Sequence, residues 1–185
     1  MAEEEQFDDM PLTKVVAAWM VSEEWEDDIG VSADRQAARV STQFKINDQA
    51  HRLYFEIDEA SETFSVFLYS PVNVPPSRMS DMARILNRIN MRLRLGRLGC
   101  RDDEDANPVQ FLVRIDVEGG ALVPEQIGNM LGAGIGTMSQ YGQLLAATAL
   151  TKQSADALWS SFLEEEAAEE AANKETEEES GPSEL

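Results

Sequence analysis

The sequence predicts an α+β fold: one domain over residues 10–163, with helices packed on a five-stranded antiparallel sheet. Three observations predict it. Four runs, around residues 40–46, 53–57, 64–68 and 109–117, alternate apolar and polar side chains, the mark of strands with one buried face. The connections between the first three runs are short and polar, which joins them as an antiparallel meander. The segments around the runs carry apolar residues at helical spacing. Read in order, the elements are α-β-β-β-α-β-β-α-α.

The first helix opens near Pro11 to Thr13 and is expected to reach about Trp25, with Leu12, Val15, Val16, Trp19 and Met20 in one apolar stripe. Acids from Glu23 to Asp28 crowd its C-terminal end, where the helix dipole disfavours them, so it should fray early and stop at Gly30. The meander follows, with inward residues Val40, Phe44 and Ile46, then Leu53, Phe55 and Ile57, then Phe64, Val66 and Leu68. Its turns are Asn47-Asp48-Gln49 and Glu59-Ala60-Ser61-Glu62.

Pro71, Pro75 and Pro76 end the third strand, and a second helix is predicted from about Ser77 to Leu93. Met79, Met82, Ile85, Leu86, Ile89 and Leu93 share one side of it. Arg84, Arg88 and Arg92 recur at four-residue steps on the other, with Asp81 among them. A short strand holding Leu98 and Cys100 comes next, then a polar loop from Asp102 to Pro108 and the clearest strand, Val109 to Val117. Gly119-Gly120 turns the chain, and Pro124-Glu125-Gln126 opens a third helix. The last helix, from Ser154 to Glu166, carries Ala155, Leu158, Trp159 and Phe162 at helical spacing.

Charge is laid out in blocks. The formal net charge is −20. Residues 1–30 hold ten acids against Lys14, and residues 164–185 hold ten against Lys174. The middle is nearly balanced, with fifteen acids and thirteen bases. Residues 1–9 therefore read as a disordered acidic leader and 164–185 as a disordered acidic tail. This balance argues against direct binding of nucleic acid or an anionic membrane. An acidic N-terminus is unlike a signal peptide, and the lone Cys100 excludes an internal disulfide; both fit a cytoplasmic location.

No catalytic, cofactor-binding or metal-binding residue is singled out, and no small-molecule substrate is evident. The chain lacks a Walker A loop, a G-x-G-x-x-G after a strand and a G-x-S-x-G. His51, the single histidine, reads as a solvent-facing residue at a strand start, and Cys100 as a small apolar strand residue. The acids Asp102 to Asp105 lack the glycine and glutamate of a calcium loop, since Asn107 and Val113 stand in those places.

Gln126 to Thr151 contains no charged residue, but its Asn, Ser, Gln and Gly content and missing basic flanks argue against a membrane span. Gly128, Gly132 and Gly136 form a small-residue row, a candidate for helix packing or dimer contact. Whether Gly128 to Gly136 is helix or a helix-splitting loop stays open at this level. Arg84, Arg88 and Arg92 are the candidate partner-binding residues. They form either a solvated face bonded to Asp81 and strand carboxylates, or a surface that holds an acidic segment of a partner or of the chain's own tail.

Residues 55–147 resemble the YbjN family of small bacterial proteins, once described as sensory transduction regulators. The resemblance is carried by FSVFLYSPVNVPPSRM, by LNRINMRLRLGRL with Asn87, Ile89 and Asn90, and by FLVRIDVEGGALVPEQI. Members are similar in fold to type III secretion chaperones, small acidic dimers that bind extended partner segments. The resemblance implies a non-enzymatic, chaperone-like or regulatory module that acts as a homodimer on a protein partner, and it supplies no catalytic residues. Two other readings differ in class: an acidic-tailed mimic that occupies basic surfaces of nucleic-acid-binding partners, and an enzyme with an unrecognised carboxylate site.

Overall fold

The structure is a computed structural model that describes residues 5–100 and 107–179. The sheet has six strands, not five: β1 (Ile29–Val31), β2 (Ala37–Ile46), β3 (Gln49–Asp58), β4 (Thr63–Asn73), β5 (Arg97–Cys100) and β6 (Pro108–Asp116). All neighbours are antiparallel, in the spatial order β1-β2-β3-β4-β6-β5. The helices are α1 (Pro11–Ser22), α2 (Met79–Asn90), α3 (Pro124–Leu150) and α4 (Ala155–Glu179).

The extra strand follows from how α1 ends. The chain leaves the helix at Glu24, in the left-handed region at φ 57°, while the Trp25 N–H donates back to the Met20 carbonyl at 2.9 Å. Trp25 then folds inward and stacks on Phe55, ring centroids 5.7 Å apart. The acidic stretch is thereby spent in a loop, and Gly30, expected to stop the helix, instead pairs with Arg39 inside β1. The N-terminus of α1 has no cap of its own. Glu59, from the β3–β4 turn, accepts from the Thr13 N–H and hydroxyl, both at 2.8 Å, and from the Leu12 N–H at 3.2 Å.

The core lies between the helices and one face of the sheet. Phe55, Phe64, Leu68 and Phe111 from the strands meet Trp19 of α1, Met82, Ile85 and Ile89 of α2, and Ile127, Met138 and Leu145 of α3, all buried. The meander turns at Asn47 and Asp48, both at positive φ, as a two-residue hairpin requires. His51 is 2% exposed, which corrects the solvent-facing expectation. Its position has the parity of Leu53, Phe55 and Ile57, so the pleat turns it inward, and its Nδ1 lies 2.9 Å from the Gln49 carbonyl.

α3 is a single helix through all its glycines. Only one of them makes a close approach: a Cβ on Gly134 would stand 3.0 Å from the Phe111 ring and 3.6 Å from Leu68. Gly132 and Gly136 have nothing within 4 Å of a would-be Cβ, and Gly128 has only Trp19, at 4.0 Å. Of the two roles expected for the row Gly128, Gly132 and Gly136, helix packing within the chain or contact between copies, the first is not seen, because all three are exposed.

Both acidic ends carry more order than composition predicts. Phe7 is 5% exposed in the core and Met10 is fully buried. Arg35 fastens the segment before α1 by donating to both oxygens of Asp9, at 2.6 and 2.8 Å, and to the Gln6 carbonyl at 2.7 Å. At the other end, the segment expected to be unstructured from residue 164 is helical to Glu179. Its alternation of Ala and Glu, both strong helix formers, extends the helix that Trp159 and Phe162 anchor. Residues 1–4 and 180–185, and the Asp102 to Asp105 cluster, lie outside the described residues.

Candidate functional site

α2 turns its apolar side to the core and Arg84 and Arg88 outward, as the four-residue spacing requires; it ends at Asn90 and not at the expected Leu93, so Arg92 follows in the turn just past its end. These arginines do not meet strand carboxylates. Helix α4 lies across them.

Two acidic residues of α4 make the contact. Asp156 receives Arg84 at 3.2 Å and also bonds the Arg88 guanidinium. Glu166, three turns further along, takes one nitrogen of Arg92 between both carboxylate oxygens, at 2.7 and 2.8 Å, and also accepts from Gln140 of α3 at 3.1 Å. Between these two points, the Trp159 and Phe162 rings pack tilted at 33° with centroids 5.5 Å apart, and Phe162 leans on Tyr141 of α3 at 5.3 Å. The Arg88 and Arg92 guanidinium carbons each stand 5.8 Å from the Trp159 ring centre, where a cation is attracted to the ring face. Residues 156, 159, 162–163 and 166 recur about every three to four positions, so acid and aromatic share one face of α4.

The electrostatics follow the contacts. The hydrogen bond from Arg88, helped by the charge of Arg84, holds the Asp156 carboxyl below the usual aspartate range. Glu166 raises Arg92 above its ordinary value by its hydrogen bond. Burial pushes the Tyr141 phenol up.

The start of α4 is fixed by a firmer arrangement. Arg78 pairs with Asp81 at 2.5 Å and donates to the Thr148 and Gln153 carbonyls at 2.9 and 2.6 Å. Asp81 accepts from the Ala155 N–H at 3.2 Å, and the Ser154 hydroxyl caps the helix by accepting from the Ala157 N–H. Ala155 and Leu158 are buried, whereas every residue from Ala167 to Lys174 is exposed. The start of α4 is thus held in the fold, and its middle, to Glu166, is held by charge and two aromatic rings.

Of the candidate residues, Arg84, Arg88 and Arg92 are brought together by one contact, while Gly128, Gly132 and Gly136 lie on an exposed face of α3. Asp156, Glu166 and Tyr141 were not singled out from the sequence. A signal existed, since acids bracket the Trp159–Phe162 pair at helical spacing, but matching that face to α2 requires the topology. Asn90, one of the residues that carried the family resemblance, bonds both the N–H and the carbonyl of Leu98, at 2.8 and 3.0 Å, tying the end of α2 to β5. Among the described residues, no cluster of three metal-ligating side chains is present, and no helix is long and apolar enough to cross a membrane.

A search of curated proteins finds no match to the chain. Among solved structures, the chain is similar to the crystal structure of YbjN from E. coli, described as "a putative transcription regulator", with 13% identity, 71% of this chain and 91% of that one covered, and a TM-score of 0.49. Residues 13–147 match the YbjN family, whose description is "Putative bacterial sensory transduction regulator". That match spans the whole sheet and most of the packed helices, and the chain belongs to the YbjN family.

Proposed function

We propose that this chain is a non-enzymatic regulatory module that binds a protein partner through the arginine face of α2, and that α4 occupies this face until the partner displaces it. One observation supports the reading: the face already holds an acidic amphipathic helix, the chain's own. The charged contacts are largely exposed, and each such pair contributes about 0–1 kcal/mol, so the middle of α4 can be exchanged at small cost. A partner helix with two carboxylates spaced like Asp156 and Glu166, and an aromatic residue between them, would compete for the same arginines. In this chaperone-like mode the module acts in the cytoplasm as a homodimer, with the exposed Gly128, Gly132 and Gly136 row as the contact between copies.

Hydrogen exchange of the full chain, with and without an excess of a peptide bearing residues 154–174, tests the exchange. The reading expects amides of α4 to lose protection when the peptide is added. Unchanged protection at saturating peptide would refute displacement.

A further inference from the structure

The helices cover one face of the sheet, and the opposite face is open. There the register aligns Ser41, Tyr54, Phe67, Leu112 and Arg97 in one row across β2, β3, β4, β6 and β5. Tyr54, Phe67 and Leu112 are half-buried. With strands about 4.8 Å apart, they make an apolar strip about 10 Å long.

Cations surround this strip. Arg39 and Arg114 stand in the row on one side, Arg52 in the row on the other, Arg97 at one end and Lys45 beyond. All five are exposed, and none has an ion-pair partner among the described residues. Lys14, Arg35 and the arginines of α2 are, by contrast, all paired. The acids on the open face are fewer. Glu56 sits between Arg39 and Ser65, while Asp58 and Asp116 lie at the margin, where Asp58 accepts from the Ser61 N–H of the turn and feels the charge of Arg114 without a close ion pair. Five of the cations without an ion pair thus gather on one surface of a chain of charge −20, while Arg94, Lys152 and Lys174 lie outside these strands.

Two of these cations are held in place. The Arg39 guanidinium lies over the Tyr54 ring, 4.1 Å from its centre, and the Arg114 Nε donates to the Ser65 hydroxyl at 2.8 Å. Between them opens a cleft of about 560 Å³, with room left where Gly30 has no side chain.

We propose that this open face is a docking surface for a short acidic segment of a protein partner, in which a large apolar side chain seats on the Tyr54–Phe67–Leu112 strip and flanking carboxylates meet Arg39, Arg52, Arg97 and Arg114. A short protein segment is favoured over nucleic acid for two reasons. Arg39 lies over one face of Tyr54 and Tyr69 is 9% exposed, so successive bases find no row of free rings to stack on. The net charge of −20 also repels a long polyphosphate far more than a short segment with a few carboxylates. This surface lies on the opposite side of the sheet from α4 and does not depend on its displacement.

Fluorescence anisotropy of the full chain with a short labelled peptide, a central Phe between runs of Glu, tests the proposal. Binding is expected, weakening as salt rises, and weakening about tenfold in the double variant Arg52→Glu, Arg97→Glu. It should not change in Arg92→Glu. Arg52→Gln with Arg97→Gln, which removes the charges while keeping polar side chains of moderate size, serves if reversal disturbs folding. Absence of peptide binding to the native chain, equal binding by the double variant, or displacement of the peptide by a single-stranded oligonucleotide would overturn it.

Discussion

Arg92 holds both carboxylate oxygens of Glu166 within 2.8 Å of one guanidinium nitrogen, joining the end of α2 to the third turn of α4. Seventy-four residues separate the two in sequence. This pair and the Trp159 and Phe162 rings fasten the middle of α4 to the body, and Asp156 fastens its first turn. Replacing Arg88 and Arg92 together by Ala should lower global stability by no more than about 2 kcal/mol, the sum for two exposed pairs. Hydrogen exchange from Ser160 to Glu166 should nevertheless rise well before the sheet opens, because local release needs only those contacts to break.

The depressed Asp156 carboxyl sets a pH dependence. A group whose folded value lies below its unfolded value stabilises the docked state above the unfolded value and loses that contribution as pH falls through the folded one. The ordinary aspartate value is 3.8. Docking of α4 should therefore be intact at neutral pH and weaken only below about pH 4. Trp159 fluorescence followed during acid titration should report this step, and Asp156→Asn should remove it.

Glu59 serves as a cap supplied from another element. Glu59→Ala should cost about 2 kcal/mol, since it leaves the buried Thr13 hydroxyl and N–H without their acceptor at a helix N-terminus. Urea denaturation measures the loss. Glu59→Gln, which keeps one acceptor oxygen, should cost less.

The glycines separate into two kinds. Gly96 sits at φ 74° with a would-be Cβ 2.3 Å from the Phe111 ring, so Gly96→Ala should destabilise by about 2–4 kcal/mol. Gly132 faces open space inside a regular helix, and Gly132→Ala should stabilise the single chain by about 0.5–1 kcal/mol. If its row is the contact between copies, Gly132→Leu should convert a dimer to a monomer in light scattering without lowering helicity.

The parts of the fold that sequence made legible are those where one period dominates. The alternation through Phe55, Phe64 and Phe111 and the stripe through Met82, Ile85 and Ile89 correctly marked their buried faces. Strand β1 escaped notice because three residues, one of them Gly30, carry no period, and because the turn at Glu24 has a non-glycine residue at positive φ. His51 was readable from parity alone; its neighbourhood of turn residues masked that. The arginine row was visible as a charged helix face, and the chain's own tail, to which Glu166 belongs, was one of its expected occupants, but Asp156 was not. Ion pairing across sixty-eight or more positions depends on how α3 returns the chain to α2, which no local pattern encodes. The open sheet face was equally hidden, since Arg39, Arg52, Arg97 and Arg114 become neighbours only in the register of four strands.

The central claim is that the arginine face of α2 is a binding surface occupied by the chain's own acidic helix. The most direct test is the affinity of a labelled peptide of residues 154–174 for the full chain and for its Asp156→Arg, Glu166→Arg variant, in which α4 is repelled from the face. The variant should bind the peptide at least about tenfold more tightly than the native chain, and rising salt should weaken that binding. Equal affinity of the two proteins, or binding indifferent to salt, would contradict the account.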